Sequence, residues 1–455
     1  MGKFSLFALL FFLAFFHAYG QRLVPSQPHG LHERYSKCQI QRITAQVPNR
    51  KVESEAGVSE YWDENNEQFE CAGVAVVRHI IYSKGLFSLA TPIHPGRGLR
   101  GALIPGCPET YQSFQKSPEG KQRFHDQHQE RNRQGDLLAL PAGVAHWCYN
   151  DGEEPLVAVV LLDTSNDANQ LDQNHRRFNL AGNPKHDRFE TRTPEIEEKS
   201  GRNVLGGFDT RILAEAFGQG NFIVNDRRGK IVRVERGLSV VRPPMTREEE
   251  ERERMRGSQP NGLEETICTA RLRENIEDAS RADVYNPQAG RLRSVNSYVL
   301  PILDFLRLSA ERGTLYRVSN LIGLIDIIAS ILIMHSWHHI GTLNAHSVIY
   351  GLKDQARIQT VNEKGEAVFD GVLRRGQIVI APQNFVVLKQ AGDQGFEWVA
   401  FKTNANAKIN TLAGKTSAIH SLPQDVIAIM YQTTQEEARR LKYNKEETIL
   451  LLHPL

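Results

Sequence analysis

Four histidines close together in the chain have the residue type and spacing that could do chemistry. They are His335, His338, His339 and His346. Imidazole nitrogen is the commonest protein ligand of transition metals, so such a cluster would suit a metal centre. No carboxylate joins the four at ligand spacing, and a histidine cluster in a loop is usually solvated. The chain also shows no Ser-His-Asp spacing, phosphate-cradling glycine loop or nucleophile elbow, so we predict no catalytic, cofactor-binding or metal-binding residue.

The elements that would position such residues occur twice along the chain. Residues 134–143 and 375–384 follow the same order of glycine, apolar run and proline. Within each copy, short β-branched and apolar runs alternate with Gly, Pro and Asn, as at 71–82, 156–162, 345–352 and 383–389. The pattern predicts two copies of a whole domain, each a closed barrel or jelly roll without exposed sheet edges.

Helical sequence follows each predicted barrel. Residues 208–217 form the first predicted helix, with Asp209 or Thr210 as its cap. After the second barrel, two pairs have the spacing of a capping box, namely Ser421 with Gln424 and Thr434 with Glu437. The predicted fold class is therefore all-β with helical extensions, as two tandem jelly-roll β-barrels that are each followed by a small helical segment.

One pattern in the first copy resembles the second sequence motif of the cupin superfamily. It consists of Gly135, Pro141, Gly143, His146 and Asn150. In catalytic cupins the His of this motif binds a metal together with a His-x-His pair and a Glu from the preceding motif. Here residues 86–105 hold only His94, and the second copy has Asn384 and Val387 where Gly and His should stand. The resemblance implies two cupin barrels without a metal, in which His146 is an ordinary histidine.

The start of the chain and its charge restrict where the protein acts. Residues 1–20 have a charged beginning, an apolar run from Phe4 to Phe16 and a small-residue exit, which predicts a signal peptide. Net charge is +2, from 55 basic and 53 acidic residues, so we predict neither nucleic-acid binding nor membrane insertion. Five cysteines in an exported chain predict two disulfide bonds and one further thiol, with the connectivity open.

A charged stretch separates the two halves. Residues 246–254 lack an apolar face, which predicts either a disordered segment or an exposed single helix. The linker, residues 246–261, ends at Asn261-Gly262, and residues 261–268 resemble the cleavage signature of 11S globulins. Five further stretches resemble that family, namely 68–73, 105–110, 273–276, 281–287 and 437–442. Residues 139–150 are most similar to its cereal glutelin branch.

The resemblance implies a processing scheme. An asparaginyl endopeptidase would cut after Asn261, so that Gly262 begins the second chain. The N-terminal cupin domain, residues 21–245, would be the acidic-chain equivalent, and residues 262–455 the basic-chain equivalent. The family's disulfide bonds carry over to Cys38 with Cys71 and to Cys107 with Cys268, which leaves Cys148 as a small buried residue or an intermolecular partner.

The same resemblance implies storage rather than catalysis. The expected function is nutrient reservoir, with homo- or hetero-oligomers of 11S subunits that form trimers and then hexamers. The expected route runs through the endoplasmic reticulum to the protein storage vacuole. The alternatives are a metal-dependent germin-like oxidase and a cupin that binds a small ligand such as a sugar or a hormone.

Two regions depart from the family's pattern. Between Gly85 and Gly106 the chain is short, which predicts a shortened or missing strand and leaves the closure of the first barrel open. Between Arg317 and Leu343 it is long and includes the apolar run 321–334, either a retained intron or a real insertion. We expect the second barrel to form from the flanking residues, with this stretch outside it.

Overall fold

The computed structural model describes residues 38, 40–87, 98–103, 111–113, 123–125, 130–166, 188–189, 204–217, 231–234, 271–287, 289–316, 336–410, 417–443 and 450–451. The chain divides into two compact units, Met1–Gln39 and Ile40–Leu455. Cys38 is the described residue of the first unit, and the fold below is that of the second. The predicted signal peptide, the linker 246–261 and the run 321–334 lie outside the described residues.

The first half of the second unit is built from two antiparallel sheets. The strand order of the first sheet is Leu156–Asp163, Val74–Ile81, Gly57–Tyr61, Arg50–Ser54 and Arg188–Phe189. The strand order of the second sheet is Ile231–Arg233, Gly85–Phe87, Ala145–Asn150, Gly98–Leu103 and Glu130–Asn132. Tyr111–Ser113 pairs with Arg123–His125, and Asp136–Leu138 pairs with Arg273–Asn275 from the second half. Between the sheets, a core of Ala56, Ile81, Phe87, Cys148, Leu156, Ala158 and Ile231 is buried.

The second half forms one continuous sheet around a separate core. Its strands are Val284–Asn286, Gly290–Val295, Ser309–Leu315, Ser336–Thr342, Ser347–Val361, Ala367–Arg374, Ile378–Ala381, Val386–Lys402, Ile409–Asn410 and Leu450–Leu451. The strands Ser347–Val361 and Val386–Lys402 pair along most of their length, with bulges between Gly351 and Lys353 and between Asp354 and Ala356. Bulges bend long strands, so these two can contribute to both sides of a barrel.

A third core joins the halves. It buries Trp62, Phe69 and Val76 of the first half together with Tyr350 and Phe401 of the second. The guanidinium of Arg78 also donates a hydrogen bond of 2.9 Å to the hydroxyl of Tyr350. The two barrels are therefore packed against each other through an apolar interface.

Two of the helix caps predicted from the sequence are found in the structure, and one is not. The described helices are Glu67–Ala72, Thr210–Phe217, Ile302–Leu306, Ala418–Ser421, Gln424–Met430 and Gln435–Tyr443, with short 3-10 turns at Val204–Gly207 and Ala279–Arg281. Asp209 caps the second of them by accepting from the N–H of Arg211, and Thr434 with Glu437 forms the predicted capping box. The box predicted for Ser421 and Gln424 is wrong: Ser421 ends the preceding helix, and its hydroxyl donates to the carbonyl of Ser417.

The structure answers part of the question about the two unusual regions. In the short region, the strand Gly98–Leu103 pairs with every residue of Ala145–Asn150. The strand predicted to be shortened or missing comes before it, where residues 88–97 lie outside the described residues, so this expectation stays a prediction. Ser309–Leu315 precedes the long region and Ser336–Thr342 lies at its end, and both pair with Val386–Lys402. The expectation that the whole long stretch lies outside the second barrel is therefore wrong for residues 336–342, which form a strand of its sheet. Residues 317–335 lie outside the described residues.

Candidate functional site

His146 lies inside the first barrel where the cupin-like motif places it. It is half-buried on the strand Ala145–Asn150, and its Nδ1 is 3.1 Å from the carbonyl oxygen of Val144. Within the described part of the chain, no cluster of three potential metal-ligating side chains includes His146. His94, the other histidine of this region, lies outside the described residues.

A second histidine of the first barrel escaped the sequence analysis. His79 and Ser59 face each other across neighbouring strands, and both are fully buried. The hydroxyl oxygen of Ser59 is 2.9 Å from Nδ1 of His79, whose ring packs 4.3 Å from that of Phe87. A histidine hydrogen-bonded to a serine can activate the hydroxyl as a nucleophile, but a nucleophile must also be accessible to its substrate. At zero exposure, this pair is a hydrogen-bonded polar contact in the core.

The corresponding position of the second barrel is apolar. Val387, which stands where the motif has histidine, is 1% exposed within the barrel core. Asn384 takes the place of Gly143, and both residues have a positive φ, 66° and 85°. Asparagine is among the few residues that tolerate the left-handed region, so the turn of the motif survives although its ligand is lost.

Two of the four clustered histidines lie on a strand and not in a loop, contrary to the sequence prediction. His338 and His339 lie on the strand Ser336–Thr342, and His346 is mostly buried. The backbone N–H of Gln383 donates to Nδ1 of His346 at 3.2 Å. A ring nitrogen of His346 lies within 4.8 Å of the sulfur of Cys71, which is disulfide-bonded and so does not offer a metal a thiolate.

Burial lowers the pKa of His346 to about 4. Because the unfolded chain protonates this ring near its ordinary value of 6.5, the folded state loses stability as pH falls from 6.5 toward 4. We expect His346 to account for a loss of up to about 3 kcal/mol across this window. The variant His346→Asn keeps an acceptor for Gln383, and its urea midpoint should fall less between pH 7 and pH 4.5 than that of the wild type. Parallel falls in the two proteins would contradict this assignment.

Cys148 is a buried thiol in the core of the first barrel. Its side chain has no exposed surface, and the amide of Asn132 donates to its sulfur at 3.1 Å. Burial raises the pKa of the Cys148 thiol to about 12 from an ordinary value of 9.0. The sulfur therefore behaves as a small apolar group, one of the two roles expected from the sequence.

We expect iodoacetamide to leave Cys148 unmodified in the folded protein at pH 8. Since the thiolate is the nucleophile, a pKa raised by three units implies alkylation slower by about a thousandfold than in urea, before burial slows it further. Mass spectrometry of peptides that contain Cys148 measures the rate in both states. Similar rates in the two states would show that the thiol is accessible.

A buried ionic cluster inside the second barrel was also missed. Glu311, Lys389 and Lys402 are at most 2% exposed, and a carboxylate oxygen of Glu311 lies 3.6 Å from the ammonium of Lys402. The indole N–H of Trp398 points to the other carboxylate oxygen at 3.4 Å, and the ammonium of Lys389 lies 4.9 Å from the indole ring. Burial lowers the pKa of Lys389 to about 8, helped by the nearby charge of Lys402 and opposed by Glu311.

Of the predicted processing and disulfide residues, the structure describes one pair. Cys38 and Cys71 are each disulfide-bonded. Asn261, Gly262, Cys107 and Cys268 lie outside the described residues. The strands on either side of the predicted cut are described: Ile231–Arg233 pairs with Gly85–Phe87, and Arg273–Asn275 pairs with Asp136–Leu138.

A family model, curated relatives and solved structures all match this chain. A family model described as Cupin matches residues 43–186 and 333–439. An 11S globulin of Juglans nigra is 45% identical over 92% of this chain and 91% of the relative. Glutelin type-A 2 of Oryza sativa subsp. japonica is 42% identical over 92% of this chain and 88% of the relative. The crystal structure of the coconut allergen cocosin superimposes with a TM-score of 0.75 at 40% identity, over 92% of this chain and all of that one. An 11S globulin of Wrightia tinctoria, whose structure is described as revealing an auxin binding site, gives 0.74 at 38% identity, over 91% and 96%.

Proposed function

The chain belongs to the 11S globulin family of cupin seed storage proteins, and we propose that its precursor is cut after Asn261 into two disulfide-linked chains that assemble into hexamers. Family membership makes it a storage protein and not an enzyme. The finer proposal adds the processing enzyme, an asparaginyl endopeptidase, and deposition in the storage vacuole through the secretory pathway. No helix among the described residues is long and apolar enough to cross a membrane.

The observation that carries the processing proposal is the anchoring of both flanks of the cut. Upstream, Ile231–Arg233 is hydrogen-bonded into the first barrel, with Ile231 fully buried. Downstream, Arg273–Asn275 is paired with Asp136–Leu138 of the same barrel. A cut between these two strands leaves both of them paired in the first barrel, so we expect the fold to survive it.

Ion pairs reinforce the downstream anchor. The buried carboxylate of Glu274 accepts from Arg293 at 2.5 Å and from Arg281 at 2.9 Å. Arg273 reaches the buried Asp136 at 3.3 Å. Because a buried carboxylate is costly unless it is paired, the Arg273–Asp136 pair favours the docked position on the first barrel. The pairs of Glu274 join the same segment to the second half.

Mass spectrometry of the protein from mature seed, reduced and unreduced, tests the processing. Reduction should release two chains, the second beginning at Gly262. Incubation of the recombinant precursor with asparaginyl endopeptidase should give the same two chains, and an Asn261→Gln precursor should remain whole. A single intact chain after reduction of seed protein would overturn the proposal.

The helical segments support the proposed assembly. Both carry exposed apolar side chains: Phe208, Ile212 and Phe217 in the first, and Ile429, Met430, Tyr431, Leu441 and Tyr443 in the second, each more than half exposed. Several exposed apolar side chains on the same short helices are typical of an interface. A symmetric oligomer in which these helices pack on a second copy would bury them.

Ile429→Asp is expected to keep the recombinant precursor monomeric. Ile429 is 76% exposed, so the substitution should not disturb the fold, while a carboxylate in an apolar interface would cost several kcal/mol, about 3 or more. Analytical ultracentrifugation gives the oligomeric state. Lys364→Asp, at an exposed turn of the second barrel, is the control and should assemble normally. Normal assembly of the Ile429 variant would place the interface elsewhere.

Binding of a small ligand is a second candidate function. It is favoured by the 38% identical globulin of Wrightia tinctoria, described as having an auxin binding site. Isothermal titration of the purified protein with an auxin tests it. Heat of binding at one site per chain would support this function. No heat of binding at millimolar auxin would exclude it.

A further inference from the structure

Asn275 is the next asparagine after Asn261 in the chain, and both ends of its side-chain amide are hydrogen-bonded. Its Nδ2 donates to the backbone carbonyl of Gln134 at 2.7 Å and to a carboxylate oxygen of Asp136 at 3.0 Å. Its Oδ1 accepts from the backbone N–H of Glu277 at 3.0 Å. An enzyme that cuts after asparagine must make its own contacts with this amide, so Asn275 is closed to it while these hydrogen bonds last.

The backbone on both sides of Asn275 is held as well. The strand Arg273–Asn275 pairs with Asp136–Leu138. The N–H of Ile276 donates to the carbonyl of Gly135 at 2.8 Å, and its side chain is 3% exposed in the core that joins the two halves. Proteases cut exposed, flexible backbone, so the peptide bond between Asn275 and Ile276 can be cut only after the strand leaves the barrel.

The carboxylate of Asp136 connects these contacts. It is 1% exposed, and one of its oxygens accepts from the backbone N–H of Arg133 at 2.9 Å and from the guanidinium of Arg273 at 3.3 Å. The other oxygen accepts from Asn275. Hydrogen bonds to a charged acceptor are stronger than those between neutral groups. One side chain of the first barrel therefore holds two side chains of the strand that follows the cut.

The cut proposed at Asn261 places this strand close to a new chain end. Arg273–Asn275 then becomes the first described strand of the second chain, and strands near a chain end open more readily than internal ones. Cys268 lies between the two asparagines in sequence. A further cut after Asn275 would therefore separate the second chain from the disulfide bond that is proposed for Cys268.

We propose that Asn275 is a latent second cleavage site for the asparaginyl endopeptidase, and that the carboxylate of Asp136 keeps it closed so that processing stops at Asn261. The inference rests on the processing proposed above. The latent reaction is hydrolysis of the amide bond between Asn275 and Ile276. Water supplies the hydroxyl that ends on the carbonyl carbon of Asn275 and the proton that ends on the nitrogen of Ile276.

Asp136→Ala tests the proposal by removing the carboxylate. Wild-type and variant precursors are incubated with asparaginyl endopeptidase, and mass spectrometry after reduction identifies the new chain ends. The wild type should give only Gly262, whereas the variant should also give Ile276 and the peptide 262–275. We expect the second cut to be faster by about tenfold or more in the variant, because cutting follows the population of the open state and charge-assisted hydrogen bonds are lost.

Two further proteins separate local opening from general unfolding. Glu60→Ala is the matched control, because Glu60 is a carboxylate of the first barrel that pairs with Arg78 at 2.5 Å on a different sheet. It should show the wild-type pattern. The double variant Asp136→Ala with Asn275→Gln should be cut after Asn261 and not at position 275. Persistence of the Ile276 end in the double variant would overturn the proposal.

Arg273→Ala keeps the test decisive where Asp136→Ala unfolds and is cut at many asparagines. It removes the ion pair with Asp136 but leaves the buried carboxylate its hydrogen bonds to Arg133 and Asn275, and it should also release the Ile276 end. A cut after Asn261 without one after Asn275 in both variants overturns this inference alone, and so does equal cutting at both sites in the wild type. No cut after Asn261 in any protein would instead contradict the processing on which the inference rests.

Discussion

Glu311→Gln is expected to lower the free energy of unfolding of the second barrel by about 3 to 5 kcal/mol, the usual cost of removing one partner from a buried ion pair. Burial by itself would raise the pKa of Glu311, but the ammonium groups of Lys402 and Lys389 outweigh it, and the pKa is lowered. The carboxylate is therefore charged and compensates two buried cations. Glutamine at position 311 would leave both ammonium groups inside the barrel without a compensating negative charge.

Urea unfolding of the recombinant precursor, followed by tryptophan fluorescence, measures the loss, and two variants serve as comparisons. The partly exposed Glu397 accepts from Arg312 at 3.0 Å, and Arg312 also pairs with Glu277. Glu397→Gln should therefore cost about 1 kcal/mol or less. Adding Lys402→Met to Glu311→Gln should recover much of the loss, because removal of both partners leaves fewer uncompensated groups. Equal losses for the Glu311 and Glu397 variants would contradict the cluster's role.

The ionic cluster shows why part of this site could not be derived from the sequence. Along Val386–Lys402, Lys389 shares its face with Val387 and Ala391, so strict alternation would place it inside. A lysine in a core is costly without compensation, and the compensating Glu311 is far away in sequence. The position of the carboxylate depends on the pairing of Ser309–Leu315 with this strand, which no local pattern specifies.

Features with a local cause were predicted well. The repeated turn and strand order predicted both barrels, and the spacing of Thr434 and Glu437 predicted a helix start, because each depends on a few neighbouring residues. The box at Ser421 failed although its spacing was correct. Ser417 already caps a short helix there, and Pro423 begins the next one. The environment of His346 was misjudged because Gln383 and Thr403, which are distant in sequence, hydrogen-bond to it.

The two chains of the processed protein are expected to stay together after reduction under native conditions, because each half completes the other's barrel. Ile40 and Ile43 of the first half are buried in the core of the second barrel. The N–H of Ile43 donates to the carbonyl of Val368, and Gln46 exchanges two hydrogen bonds with Ile378. In return, the carbonyl of Leu272 accepts from the N–H of Ala139 in the first barrel, and Ile276 donates to Gly135.

Ile43→Asp should break this association. A carboxylate at a position that is 2% exposed costs several kcal/mol, about 3 or more, and it would act on the segment that the second barrel needs from the other chain. Gel filtration of cut and reduced protein should show a single species for the wild type and separated or aggregated chains for the variant. Val47→Asp is the control, since Val47 is 57% exposed at the end of the same segment. Separation of the wild-type chains by reductant alone would mean that the disulfide bonds, and not the exchanged segments, hold the processed protein together.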